Sequence, residues 1–226
     1  MKIPFVKDTL ANGLDVIVHE DHDTPLVAVS VWYRVGSKNE HPSRTGLAHL
    51  FEHLMFEGSA HQPTGYFEPL QQAGASVNGS TSADRTNYWE VVPRDATELA
   101  LWMESERMGW LLPAVTETRF TTQREVVLNE RRQNYENKPY GLAQFAINAT
   151  LFAPDHPYHW PTIGQPADLR ATTLGDVHAF FGRFYHPGNA SLAIAGDITA
   201  DEGMRLARKY FGEIPRGQAK IGRAHV

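Results

Sequence analysis

The chain begins with segments in which apolar and polar residues alternate, the pattern that predicts β-strands. Residues 14–20 alternate behind the turn Asn12-Gly13, which is a strong hairpin signal. Residues 26–37 are longer and more apolar, so we expect them near the centre of a sheet. Residues 77–82 are polar and contain a glycine, which favours an exposed edge strand, whereas residues 86–92 are β-branched and aromatic and should be more buried.

Helical spacing of apolar residues dominates the rest of the chain. The first predicted helix covers residues 45–57 and stops before Gly58. Six more helices are predicted, at residues 64–73, 96–112, 117–134, 140–151, 174–184 and 200–211, and one more strand at 190–198. This order predicts an α+β fold, a mostly antiparallel sheet with helices packed on one face. We assign residues 1–215 to one domain and residues 216–226, which carry little pattern, to the beginning of a linker.

Composition narrows the class of protein. With 42% hydrophobic and 21% charged residues, the chain has the make-up of a soluble globular protein. The net charge of −5 argues against a nucleic-acid binder, and no apolar stretch is long enough for a membrane span. The chain has no cysteine, so no thiolate can act as nucleophile or metal ligand. Its first residues do not form a signal peptide, which leaves a cytoplasmic or a periplasmic location open.

The first predicted helix contains the pentapeptide His-Leu-Phe-Glu-His at residues 49–53. Residues i and i+4 lie one turn apart on the same face of a helix, so His49 and His53 can chelate one zinc ion. Glu52 leans toward that face and can take a proton from a zinc-bound water. The alternative is an amphipathic helix whose polar face happens to hold two histidines. The pentapeptide by itself does not decide between the two.

A catalytic zinc typically has three protein ligands and one open position, so a third ligand would decide the matter. The predicted helix at residues 117–134 and the residues just after it offer Glu125, Glu130 and Glu136. Glu130 follows an apolar run that would anchor the helix. Each of the three could equally lie on a solvated helix face, and composition does not choose among them.

The chain resembles the pitrilysin family of zinc metallopeptidases, which includes insulin-degrading enzyme and the mitochondrial processing peptidase. The resemblance rests on residues 31–59, which contain the inverted His-x-x-Glu-His motif. It extends to "EVVLNE" at residues 125–130 and to "GASVNGSTSADRTNYWEVVP" at residues 74–93. The resemblance implies that His49, His53 and Glu130 bind one zinc ion. It also implies that Glu52 is the general base and that Glu125 supports the site from outside the ligand set.

The family resemblance also implies where a peptide binds. In the family, the substrate adds as a strand to the exposed edge of the sheet, which Asn78, Gly79, Ser80 and Thr81 match here. The family commonly has alanine where this chain has Gly79. That change can loosen the edge strand but leaves its backbone donors and acceptors in place.

The family enzyme is built from two similar halves that close like a clamshell, and this chain corresponds to the first, zinc-carrying half. We therefore expect residues 1–215 to be a peptidase domain that needs a second homologous half or subunit, whose Arg and Tyr help to hold the substrate. An apolar face left uncovered would favour self-association. Two other functions compete with a zinc endopeptidase. A non-catalytic assembly subunit would usually lack the motif, and S-ribosylhomocysteine lyase depends on a cysteine that this chain does not have.

Overall fold

A computed structural model describes residues 3–217 of the protein. Its sheet has six strands in the order β1-β2-β6-β3-β5-β4. The strands are β1 (Val6–Thr9), β2 (Asp15–Glu20), β3 (Leu26–Tyr33), β4 (Ser76–Thr81), β5 (Thr86–Pro93) and β6 (Ala190–Gly196). Every neighbouring pair is antiparallel except β2 and β6, which are parallel. The mostly antiparallel sheet predicted from the sequence is therefore confirmed, with β4 at its edge.

Eight α-helices accompany the sheet in the described part of the chain. They are α1 (Leu47–Leu54), α2 (Phe67–Gln72), α3 (Thr97–Gly109), α4 (Glu117–Arg131), α5 (Ala143–Leu151), α6 (Pro166–Ala171), α7 (Leu174–Phe184) and α8 (Ala200–Phe211). Strands β2, β3 and β6 alternate in burial, because only one face of the sheet is covered. On β3, Val29, Val31 and Tyr33 are fully buried, whereas Trp32 between them is 45% exposed. Helices on one face of the sheet are thus confirmed.

Most predicted elements match the observed ones, and their ends differ for local reasons. Helix α1 ends at Leu54 and not at residue 57, because the N–H groups of Phe56 and Glu57 bond three residues back, in tighter turns that no longer continue the α-helix. Strand β3 ends at Tyr33, since a short 3₁₀ turn begins at Ser37. Helix α6 was missed, although Pro166 at its first turn is a helix-start signal.

The predicted helix at residues 117–134 is α4, which ends at Arg131 and continues as a π-helical turn, Arg132–Glu136. Of the predicted linker at residues 216–226, residues 218–226 lie outside the described residues. In residues 3–217, no helix is both long and apolar enough to cross a membrane.

Candidate metal centre

Helix α1 is held at its start by a buried carboxyl group. Glu40 accepts hydrogen bonds from the backbone N–H groups of Gly46, at 2.9 Å, and Ala48, at 2.8 Å. These groups belong to the first turn, where N–H donors have no partner inside the helix. Burial raises the pKa of Glu40 to about 8, although the two N–H donors oppose that shift. The side chain therefore fixes where α1 begins, and with it the position of the histidines.

Helix α6 braces the same end of α1. Thr45 donates its hydroxyl to Asp168 at 2.6 Å and accepts the backbone N–H of Gln165 at 2.8 Å. Gly46 has a φ of 95°, and a Cβ at this position would lie 3.0 Å from the Cα of Gly164. Only glycine fits so close an approach at a positive φ.

The apolar spacing of α1 decides which side chains face outward. Leu47, Leu50, Phe51 and Leu54 are buried against the core, so the opposite face carries His49, Glu52 and His53. Helix α4 is anchored in a similar way by Phe120, Val127 and Leu128, all of which are buried. Helices α1 and α4 contact each other, and this brings Glu130 to the two histidines.

His49, His53 and Glu130 converge on one point. Oε2 of Glu130 lies 3.6 Å from Nε2 of His49 and 3.3 Å from Nε2 of His53. All three potential ligand atoms lie within 4.8 Å of one another. Nitrogen and oxygen ligands about 2.0–2.1 Å from a tetrahedral zinc would lie about 3.3–3.4 Å apart. The three side chains therefore fit a single metal ion, and they are the one such group found among residues 3–217.

The electrostatics of the three side chains also suit a cation. Burial, and next the neighbouring His53, lower the pKa of His49 to about 4, so its ring is neutral and able to bind a metal at physiological pH. The hydrogen bond with His53 lowers the pKa of Glu130, so that carboxylate is ionised. Nδ1 of His49 is buried and has no hydrogen-bond partner in the described part of the chain. A metal-binding histidine usually donates its second N–H, and in His49 that donor would be Nδ1, because Nε2 faces Glu130.

Glu52 sits beside the cluster and is held by the edge strand. Its Oε2 accepts a hydrogen bond from the hydroxyl of Thr81, at 2.5 Å, at the end of β4. Burial raises the pKa of Glu52, and the bond from Thr81 opposes that shift. A carboxylate with a raised pKa is suited to take up and release a proton. Sequence reasoning assigned Thr81 to substrate binding and did not find this contact.

The other two glutamate candidates for a third ligand lie elsewhere. Glu136 pairs with Arg131, at 2.9 Å from its Nε. Glu125 is exposed on α4, and among residues 3–217 it is Glu130 that lies against both His49 and His53. Its supporting role stays a prediction.

The residues predicted to bind substrate lie together on β4, which pairs only with β5 in the described sheet. Asn78 is exposed, and Gly79, Ser80 and Thr81 are half-buried. A cavity of about 260 Å³ opens beside this strand and is lined by Glu52, His53, Phe56, Glu57, Phe67 and Gln123. Phe56 and Phe67 stack there with ring centroids 4.6 Å apart. The metal cluster thus borders both a free strand edge and a partly aromatic cavity.

A second ionisable cluster, the interior cluster, consists of Glu90 on β5 with Glu104 and Arg107 on α3. All three are fully buried. Nη2 of Arg107 lies 3.4 Å from Oε1 of Glu104, and its guanidinium lies 4.2 Å from the ring centroids of both Tyr66 and Tyr88. Burial, followed by the charge of Glu104, raises the pKa of Glu90 well above its usual range. Sequence reasoning missed this cluster, because charged residues on a helix normally lie in solvent.

Comparison with known proteins identifies the family. Residues 15–157, more than half of the chain, match the family model described as Insulinase (Peptidase family M16). The chain belongs to this family. Residues 171–225 match a second model, described as the Peptidase M16 inactive domain. The resemblance seen in the sequence is therefore confirmed.

Relatives and solved structures agree with this assignment. The chain is 35% identical to the zinc protease PqqE of Helicobacter pylori over 205 residues, which is 90% of the chain and 46% of the relative. A crystal structure of a protease from Helicobacter pylori matches with a TM-score of 0.92 and 30% identity, over all of the chain and 54% of that protein. The periplasmic protease PqqL of Escherichia coli shares the fold, with a TM-score of 0.87 at 22% identity, over 99% of the chain and 26% of PqqL. The chain spans about half the length of the curated relatives it matches.

Proposed function

We propose that this chain is the zinc-carrying half of a metalloendopeptidase that cleaves peptides or unfolded segments. The convergence of His49, His53 and Glu130 at zinc-like spacing is the observation that carries the proposal. Relatives named as zinc proteases support the choice of metal and of reaction. A non-catalytic subunit would have no use for Glu52 beside such a cluster.

In this proposal His49, His53 and Glu130 hold one zinc ion. Bound there, zinc would lower the pKa of a water molecule and polarise the carbonyl of the peptide bond to be cleaved. Glu52 accepts the proton of the attacking water and then gives it to the departing amine. Its partial burial favours this role, since the carboxyl is neither fully exposed nor sealed from solvent.

The free edge of β4 supports a substrate site. An extended peptide can add to such an edge through backbone hydrogen bonds, which impose little sequence preference. Residues 78–81 run beside Glu52, as the Thr81 contact shows. We propose that Asn78, Gly79, Ser80 and Thr81 carry the peptide, and that the neighbouring cavity takes one of its side chains.

We further propose that a second homologous half or subunit completes the enzyme. The chain matches only about half of its curated relatives. Residues 1–215 would then form the peptidase domain, with the connection to the other half beginning at 216–226. The cleft beside the zinc would face water without the opposing half, and a water-excluding wall strengthens catalytic electrostatics. A second copy of this chain is another possible partner.

Zinc content after dialysis tests the metal site. The purified chain should retain one zinc ion, and Glu130→Gln should lose most of it, because a neutral amide replaces an anionic ligand. Glu136→Gln is the matched control on the same stretch and should retain zinc. The ligand assignment is wrong if Glu125→Gln strips the metal and Glu130→Gln does not.

Hydrolysis of an unstructured peptide tests the need for a partner. Assays with and without the second half should differ by about 10²–10³-fold, the usual effect of one missing oxyanion donor. Equal rates in the two assays would refute the two-half proposal. A chain that binds zinc but stays inactive with the second half present would indicate the assembly subunit.

A further inference from the structure

The edge strand β4 does more than border the metal cluster, because it holds Glu52 by a side chain. Side chains on a strand alternate between its two faces, so Val77, Gly79 and Thr81 share one face. A Cβ on Gly79 would lie 3.1 Å from the rings of Phe56 and Tyr88, so this face is turned toward the helix-covered side of the sheet. Thr81 therefore points toward α1, and its hydroxyl donates to Oε2 of Glu52 at 2.5 Å.

The contact leaves the rest of Glu52 available for chemistry. Within residues 3–217, the Thr81 bond is the one hydrogen bond recorded for the Glu52 carboxylate, and it uses Oε2. The other oxygen, Oε1, remains open as a proton acceptor. A glutamate has three rotatable side-chain bonds, whereas threonine is β-branched and restricted at χ1. Thr81 thus supplies a stiff anchor for a flexible base.

The anchor lies on the strand that would receive the peptide. Thr81 is the last residue of β4 and pairs in register with Thr86 of β5, so its backbone is fixed on one side. Among residues 3–217 no strand pairs with the other side of β4, so that side can accept an added strand. A peptide bound along β4 would therefore be aligned with the same backbone that orients the base.

We propose that Thr81 is a positioning residue, which holds Glu52 through its hydroxyl and ties the orientation of the base to the edge strand that carries the substrate. This proposal rests on the peptidase function proposed above. It adds a role for the Thr81 side chain to the backbone contacts with the peptide proposed for residues 78–81. Asn78 is exposed on the other face of the strand, and we assign its side chain to contact with the peptide.

The test compares two substitutions in the complete enzyme, assembled with its second half. Thr81→Val keeps the size and β-branching of threonine but removes the donor, whereas Thr81→Ser keeps the donor. We expect Thr81→Val to lower kcat by about 10–100-fold, the scale of a misplaced catalytic group, with little change in KM. Thr81→Ser should recover most of the lost kcat. Both variants should retain zinc, and crystal structures should show Glu52 rotated away from residue 81 in the valine variant alone.

Thr86→Val is the matched control, since it removes a hydroxyl that donates to the carbonyl oxygen of Val35, just after β3, and not to Glu52. It should lower stability and leave kcat unchanged. The proposal is overturned if Thr81→Val keeps full kcat, raises only KM, or loses zinc, or if serine fails to restore activity. An inactive wild-type enzyme would instead count against the peptidase function itself.

Discussion

The metal cluster and the interior cluster both bring ionisable side chains into close contact, but these side chains differ in their exposure to solvent. In the first, the side chains of His49, His53 and Glu130 are 13%, 23% and 31% exposed. In the second, Glu104 and Arg107 are 1% and 0% exposed. Both contain groups with shifted pKa values. A shifted pKa alone therefore does not mark a functional site, and access to solvent and substrate separates the two.

The two clusters lie on opposite sides of the same pair of aromatic side chains, Phe56 and Tyr88, which we call the aromatic wall. Phe56 lines the cavity next to His53, and its ring also lies 5.0 Å from the guanidinium of Arg107. Tyr88 contacts the ring of Phe56 edge-on, with centroids 5.6 Å apart. The interior cluster thus packs against one side of the aromatic wall and supports it, and the metal cluster lies on the other side. Substitutions should separate the two roles.

Glu52→Gln should have the largest effect, and this effect should be on activity and not on stability or zinc content. Glutamine cannot accept the proton, so hydrolysis by the complete enzyme should fall by about 10²–10⁴-fold. Both imidazoles and Glu130 remain, so zinc content and the melting temperature should stay near wild type. Turnover close to wild type in this variant would remove Glu52 from the mechanism.

Arg107→Met should act on stability and leave the metal ligands intact. Removing one partner of a buried ion pair costs about 3–5 kcal/mol, because the other charge is left without compensation. Urea unfolding of the isolated chain would measure this loss. Arg205→Met is the control, since Arg205 forms an exposed pair with Glu202 and should contribute less than about 1 kcal/mol. Similar losses in both variants would mean that the interior cluster is not a structural ion pair.

Glu90→Gln should reveal the pH dependence of the interior cluster. In the folded protein Glu90 stays protonated at pH values above its usual pKa, whereas in the unfolded chain it loses its proton near pH 4.5. Wild-type stability should therefore fall relative to the glutamine variant as pH rises above 4.5, by up to about 1.4 kcal/mol per pH unit. Unfolding curves of both proteins at pH 5, 6 and 7 would show it. A difference that does not change with pH would mean that Glu90 is ionised in the fold.

Gly79→Ala should have the smallest effect. The new Cβ would lie 3.1 Å from ring atoms of Phe56 and Tyr88, so the rings must shift slightly. Alanine also reduces the freedom of the unfolded chain, which stabilises by about 0.4–1 kcal/mol. The two effects oppose each other, and the free energy of unfolding should change by less than about 1 kcal/mol with zinc retained. A loss above about 2 kcal/mol would show that the aromatic wall cannot adjust.

The sequence predicted the residues of the metal cluster better than the contacts that hold them in place. The spacing of Leu47, Leu50, Phe51 and Leu54 shows which face of α1 is buried, so the outward face of His49 and His53 follows from local periodicity. The choice of Glu130 over Glu125 and Glu136 came from the family resemblance, because all three lie in or just after one predicted helix. Local patterns contain no information about which partner a distant side chain will meet.

Contacts between distant residues account for what was missed. Asp168 accepts a hydrogen bond from Thr45, 123 residues earlier, and Thr81 donates one to Glu52, 29 residues earlier. The bonds from Gly46 and Ala48 to Glu40 span only six and eight residues, but they depend on the path of the loop before α1. The interior cluster was missed for a related reason. Glu104 and Arg107 look like ordinary surface residues of a helix until β5 brings Glu90 against them.

The position of β6 has a consequence for how the chain folds during synthesis. β6 lies in the middle of the sheet, where Leu192 pairs with Val16 of β2 and with Val31 of β3. β6 therefore joins β1 and β2 on one side to β3, β5 and β4 on the other, although it is synthesised after all five. Contacts so distant in sequence slow folding, and unpaired strands that wait for a partner are prone to aggregate. A chain that stops before Ala190 would leave facing edges of β2 and β3 without the strand that joins them, so such a truncated chain should aggregate more than the full chain.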